Sequence, residues 1–159
     1  MRWLGVVWLV ACPLSALAAP LPESDALAPG RVGRVAADAG GHVRAWSERR
    51  PGAPFVVLNV EVDRVLRFAI DDHGNPDRVV VSPDGRFVAY VSAAGGVAGV
   101  WVARVADGAR IALTNQGLPR SEGGPPPGWI PPPRGDDLRF DAGRLTWDGG
   151  AVALPEGWR

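Results

Sequence analysis

A weak internal repeat constrains this chain more than any local motif. Residues 33–71 can be laid on residues 77–115 at a constant offset of 44, and the two stretches then agree in kind along their length. Gly33-Arg34-Val35-Ala36-Ala37 falls on Asp77-Arg78-Val79-Val80-Val81, and the turn Asp38-Ala39-Gly40-Gly41 falls on Ser82-Pro83-Asp84-Gly85. Val56-Val57-Leu58 lands on Val100-Trp101-Val102, and Asp63 on Asp107. A slip of one residue near the end places Arg67 on Arg110, Phe68 on Ile111, Ala69 on Ala112 and Ile70 on Leu113. Strict identity is low, so the weight rests on a shared order of strand, turn, strand, long loop, strand, turn, strand. Four short strands in about 40–45 residues is the pattern of a propeller blade. The chain is therefore expected to be all-β, built of antiparallel four-stranded propeller-like blades in a partial or open propeller, with a compact β-sandwich as the alternative packing.

Ser82-Pro83-Asp84-Gly85 is the sharpest local signal. Ser accepts a backbone hydrogen bond at the first turn position, Pro presets φ at the second, and Gly suits the fourth. Around it, residues 87–91 and 100–105 carry apolar side chains on both alternating sets, so this sheet needs cover on both faces. Past Asn115 the pattern gives way to a Gly, Pro and charge-rich loop over residues 117–136. Leu138-Arg139-Phe140, Arg144-Leu145-Thr146-Trp147 and Ala151-Val152-Ala153-Leu154, separated by Gly-containing turns, then read as a three-stranded meander. The expected organisation is one blade over 33–76, a second over 77–120 and a partial blade over 137–155, all within one β domain spanning 31–159.

Ahead of that domain, Met1-Arg2 precedes an apolar run from Trp3 to Ala11, and small residues close it at Ala16-Leu17-Ala18. That order predicts a secretory signal peptide over residues 1–18, since the run is short of the roughly 20 apolar residues a spanning helix needs and Pro13 interrupts it. Leu9-Val10-Ala11-Cys12 also resembles a lipobox, which leaves acylation at Cys12 as a second possibility. Residues 19–30, with Pro, Ser and acidic residues in no period, read as a flexible tether. The mature product is expected in the periplasm or outside the cell.

Cleavage after Ala18 removes the only cysteine, so disulfide, thiolate and Cys-based metal chemistry drop out. All 17 basic residues are arginine and they balance 17 acidic ones, which argues against a nucleic-acid binder or a polybasic membrane surface. No cofactor is implied.

The run Val81-Ser82-Pro83-Asp84-Gly85-Arg86-Phe87-Val88-Ala89-Tyr90, followed by Val100-Trp101-Val102, Asp107-Gly108 and Leu113-Thr114, resembles a TolB-type WD-like propeller repeat. The resemblance covers about 39 residues well and a like number upstream through the internal repeat. It implies a propeller that binds other proteins in the periplasm or gates a separate hydrolase domain. The matched positions are turn and core residues, so no functional site comes with them. Propellers of that family commonly hold six or more blades, whereas this chain has about two and a half. An open blade end is expected to leave an apolar face wet, a surface for self-association or for an envelope partner. The third fragment folding back as a local cover is the competing outcome.

Among groups that carry chemistry, Asp71-Asp72-His73-Gly74-Asn75-Pro76-Asp77 is the densest. Its spacing fits neither an EF-hand nor a converging zinc site, and Gly74-Asn75-Pro76 mark a turn between repeats, so Asp71, Asp72 and His73 are only weak metal candidates. No Gly-x-Ser-x-Gly elbow is present, only His42 and His73 offer a base, and a non-enzyme is expected. The better functional candidate is Pro125-Pro126-Pro127-Gly128-Trp129-Ile130-Pro131-Pro132-Pro133-Arg134, where Trp129, Ile130 and Arg134 are presented between proline triplets. They would either contact a partner or fold down to plug a blade end. The expected function is an exported, non-catalytic protein-binding or assembly module of the cell envelope. The alternatives are a carbohydrate binder formed by oligomerised blades, using Trp46, Trp101, Trp129, Trp147 and Trp158, or a truncated remnant of a larger propeller.

Overall fold

The computed structural model describes residues 30–119 and 123–158, so the predicted signal segment and nearly all of the tether lie outside the described residues. Turn chemistry sets the strand boundaries. Ser82 N–H donates to Phe87 C=O at 2.9 Å, Gly85 N–H donates back to Ser82 C=O at 2.9 Å, and Phe87 N–H reaches the Ser82 hydroxyl at 2.9 Å. Gly85 sits at φ +69°, a conformation glycine adopts without strain. The same bonds recur 44 residues earlier: Asp38 N–H to Val43 C=O at 3.1 Å, Gly41 N–H to Asp38 C=O at 3.2 Å, and Val43 N–H to the Asp38 carboxylate at 2.8 Å. The repeat is thus geometric even where the residue types differ, because an Asp carboxylate and a Ser hydroxyl accept the same amide.

Three antiparallel sheets follow in chain order, with no helix among the described residues. In the first, β1 (Arg31–Val32) and β2 (Ala36–Ala37) both pair with β3 (Val43–Arg49), which pairs with β4 (Val57–Val62) and then β5 (Val65–Ile70). The second runs β6 (Asp77–Val81), β7 (Phe87–Ser92), β8 (Gly99–Arg104), β9 (Arg110–Ala112), and the third β10 (Arg139–Asp141), β11 (Arg144–Trp147), β12 (Gly150–Ala153). The chain is all-β, and none of its sheets closes into a barrel.

β1 and β2 are one strand interrupted by a bulge. Val32 pairs with Glu48 but Ala36 pairs with Ala45, so one extra residue is spent on the first strand, and Gly33 N–H bridges the gap to Ser47 C=O at 2.7 Å. β6 bulges at the equivalent place, where the register shifts between Asp77 and Val80. Arg34 and Arg78 occupy these two bulges.

One stretch of the repeat departs from the constant offset. Glu48 pairs with Val57 whereas Ser92 pairs with Gly99, so Leu58 is the structural counterpart of Val100 and Val60 of Val102. The connection before β8 is shorter than the one before β4. Because the slip is even, every side chain stays on its face. In the last strand Val60 pairs with Phe68 and Val102 with Ile111, the pairing that the one-residue slip anticipates.

The sheets stack face to face. Between the first and second lie Val43, Ala45, Leu58, Val60, Ile70, Val81, Val88, Tyr90, Ala103 and Val105. Between the second and third lie Phe87, Ala89, Val100, Val102, Leu138, Leu145, Trp147 and Leu154. β7 is buried along its whole length, as the two-sided apolar pattern requires.

The sequence leads one to expect a wet apolar blade end, and the first sheet has apolar side chains exposed on its free face, set among polar ones. The free face of the first sheet carries Arg44, whose Nε donates to Glu61 at 3.2 Å, and Asn59, whose amide donates to Glu48 at 2.9 Å. Val32 and Leu66 are its exposed large apolar side chains. On the third sheet the exposed strand positions are Arg139, Asp141, Arg144, Ala151 and Ala153. The third-sheet end is polar or small, as a terminal unit of a repeat array is, whereas the first-sheet end mixes polar side chains with Val32, Trp46 and Leu66. No helix among the described residues is long and apolar enough to cross a membrane.

Candidate binding cleft

The first strands of the three sheets converge, and between them opens a cleft of about 530 Å³. Its walls come from the bulged stretch of β1 and β2, from the whole of β6, and from the start of β10. A volume of that size falls within the roughly 300–1,000 Å³ typical of ligand sites. Val35, Val79, Leu138 and Phe140 give it apolar surface, while Arg34, Arg78 and Arg139, one from each first strand or its bulge, bring guanidinium groups.

The two repeat-related arginines differ in their partners. Arg34 donates to Asp136 at 2.8 Å, an exposed ion pair that ties the first sheet to the segment entering the third. Arg78 has as its nearest carboxylate its own neighbour Asp77 at 3.6 Å, beyond hydrogen-bonding distance. Its Nε is buried and finds no hydrogen-bond partner among the described residues. Its backbone sits at φ +50°, a left-handed conformation that is costly for any residue with a Cβ. A bulge, a strained backbone and an unsatisfied donor therefore coincide on one side chain in the cleft, a combination that gathers at functional sites.

The site residues named from sequence lie elsewhere. Ser82, Pro83, Asp84 and Gly85 form the β6–β7 turn, where the Ser82 hydroxyl donates to Asp84 at 2.6 Å. Partial burial works against the Asp84 anion, yet the Ser82 hydroxyl and the Arg86 amide hold its carboxyl below the ordinary value. Pro83 also lines the cleft, the single point of contact between that turn and the site. Trp129 and Ile130 follow a tight turn in which Trp129 N–H donates to Pro126 C=O at 3.1 Å with Gly128 at φ +82°, so the proline run bends there instead of extending. Ile130 packs on the core between the second and third sheets. Its amide and carbonyl are both held by the Asn115 side chain at 2.8 Å, and the Trp147 indole donates to Pro131 C=O at 2.9 Å. Trp129 is half-buried and Arg134 exposed.

The Asp71, Asp72, His73 cluster divides. His73 Nδ1 lies 3.2 Å from Asp71 at the surface. Asp72 turns inward, its side chain 1 % exposed, and accepts from Gly74 N–H at 2.9 Å and the Ser92 hydroxyl at 3.0 Å beside Arg110 at 3.3 Å. That carboxylate is spent on linking the two blades. Among the described residues no group of three or more His, Cys, Asp or Glu is placed to hold a metal ion. His42 pairs with Asp63 at 2.9 Å, and this hydrogen bond, with the charges of Asp63 and Asp38, raises the imidazole above its ordinary value.

Sequence reasoning missed the cleft. The signal available was the coincidence of Arg34 and Arg78 at one repeat position, which reads as an unremarked strand residue until the bulge turns it inward. No protein-family model matches the chain, and no curated protein matches it.

Proposed function

We propose that this protein is an exported, non-catalytic binding module of the cell envelope, similar to TolB-type propeller repeats, that takes up a protein partner through the cleft between its first strands. The observation that carries the reading is the convergence of three strand edges on one cleft with apolar walls and an arginine whose Nε has no hydrogen-bond acceptor among the described residues. Export is supported by the order of charge, apolar run and small residues over 1–18. Two of the five tryptophans that a carbohydrate binder would use are committed to packing: Trp147 is 7 % exposed, and Trp158 stacks on Phe87 at 6.0 Å under the Arg104 guanidinium.

A photo-crosslinking benzoylphenylalanine at Val35, which lines the cleft and is 51 % exposed, tests the reading in the producing cell. The expected result is a discrete adduct in the envelope fraction that is missing when the label sits at Thr146 on the outer face of the third sheet. Adducts at neither position, or equally at both, contradict it. N-terminal sequencing of the same fraction should begin at Ala19, and an intact Met1 or a blocked Cys12 would contradict that processing.

A further inference from the structure

We propose that the cleft receives the C-terminal end of a polypeptide, the terminal carboxylate lying on Arg78 and an apolar last side chain resting on Val35, Val79 and Phe140. This deepens the binding reading above and rests on it.

The carboxylate follows from comparing the two repeat-related arginines. Arg34 already has Asp136 at 2.8 Å, whereas among the described residues Arg78 has its carboxylate partner, Asp77, 3.6 Å away and keeps a buried Nε with no hydrogen-bond partner. A buried donor without an acceptor is unfavourable, and the planar guanidinium fork matches a carboxylate bidentately. Three arginines and two aspartates line the cleft, Arg34, Arg78 and Arg139 against Asp77 and Asp136, so it holds one positive charge in excess. One carboxylate balances it.

That the carboxylate belongs to a chain end follows from the shape. The Arg34 to Asp136 ion pair joins two walls of the cleft, connecting residues 102 apart in sequence. A chain running straight through would have to break it, and a volume of about 530 Å³ suits a terminus better than a long traversing segment. Main-chain recognition is also on offer, because β6 ends its sheet and leaves its second edge free of strand pairing. The apolar walls beside Arg78 then favour an apolar final residue.

Fluorescence anisotropy on the full chain tests this with labelled hexapeptides that share a Gly-Ser spacer and end in valine, leucine or phenylalanine. Each is made as the free acid and as the C-terminal amide, and a third set ends in aspartate amide. The expected result is saturable binding of at least one free acid, at least tenfold weaker binding of its amide and of the aspartate amide, and a loss of at least tenfold in both Arg78→Gln and Arg78→Gly. Glycine relieves the positive φ, so Arg78→Gly should melt no lower than the native chain, which separates lost binding from lost folding. Equal binding of acid and amide, equal binding of aspartate amide, or native affinity in Arg78→Gly would overturn the inference. If no peptide binds while the Val35 crosslink to an envelope partner persists, this inference alone fails; if the crosslink is also absent, the broader reading fails with it.

Discussion

Tyr90 shows how one side chain can report on the whole interior. It is the only tyrosine, it lies between the first and second sheets with no exposed surface, and its hydroxyl has no aligned partner although Asp72 and Arg110 are close. Burial, and then the Asp72 charge, push its ionisation up to about 12, with Arg110 opposing in part. An unfolded chain ionises its tyrosine near 10, so the folded state holds this proton more tightly. The stability this carries is complete below about pH 10 and is lost as pH rises toward 12, on the order of 3 kcal/mol in all. Spectrophotometric titration at alkaline pH should give a single tyrosinate transition near 12 in the folded protein, with the melting temperature falling across the same window; a midpoint near 10 would place Tyr90 in water. Arg78 makes the opposite case, a residue held at a positive φ with a buried Nε that has no partner among the described residues. Releasing a non-glycine residue from the left-handed region is worth about 1–2 kcal/mol, so Arg78→Gly should raise the melting temperature or leave it level. A clear fall would show that the arginine is structural. The sequence could not reveal this position, because Asp77-Arg78-Val79-Val80-Val81 reads as an uninterrupted strand and nothing in it encodes the bulge.

At the scale of elements, what was legible followed the turns and what was hidden followed contacts between distant segments. Ser82-Pro83-Asp84-Gly85 announced its hairpin, and the alternating apolar sets of β7 announced a sheet covered twice. The length difference between the connections before β4 and β8 was invisible, since a two-residue change in a loop leaves the face pattern intact. Equally hidden was the staple between Asn115 and Ile130, whose side-chain amide and carbonyl hold the backbone of a segment 15 residues away. Asn115→Ala would strand the Ile130 amide and carbonyl together with Ala98 C=O, which Asn115 also holds at 2.8 Å. The expected cost is about 2 kcal/mol, seen as a fall in melting temperature of roughly 5–10 °C. An unchanged melting point would mean that the Pro-rich segment is not anchored there. Gly74 offers a second test, because a Cβ at that position would meet the Ser92 hydroxyl and the Ala94 amide. Gly74→Ala should destabilise by about 1–3 kcal/mol in a denaturant titration, and no change would mean the link between blades sits further from β7. The turn carboxylates add an acid dependence: Asp38, held low chiefly by the Val43 amide, and Asp107, held low chiefly by the Ala109 amide, support the fold above about pH 4 and lose that contribution as pH falls below it.

For the molecule as a whole, the order of the sheets matters more than the blade count. The partial third sheet covers the second, and on the free face of the first the exposed Val32 and Leu66 are interspersed with the Arg44–Glu61 and Asn59–Glu48 pairs, which break up the apolar patch that would drive self-association. Light scattering at micromolar concentration should therefore return a monomer, and a dimer mass would put the free face of the first sheet back in contention. The concave surface open to a partner is the cleft where the three first strands meet. Its geometry depends on one arrangement, the second sheet lying between the other two with dry contacts on both sides. Native-state amide hydrogen exchange reads that arrangement most directly. The slowest amides should be those of β7 and β8, protected to the level of global unfolding, with β1, β5 and β12 exchanging first. If β7 and β8 exchange as fast as the edge strands, the second sheet is not enclosed and the cleft built on it does not exist.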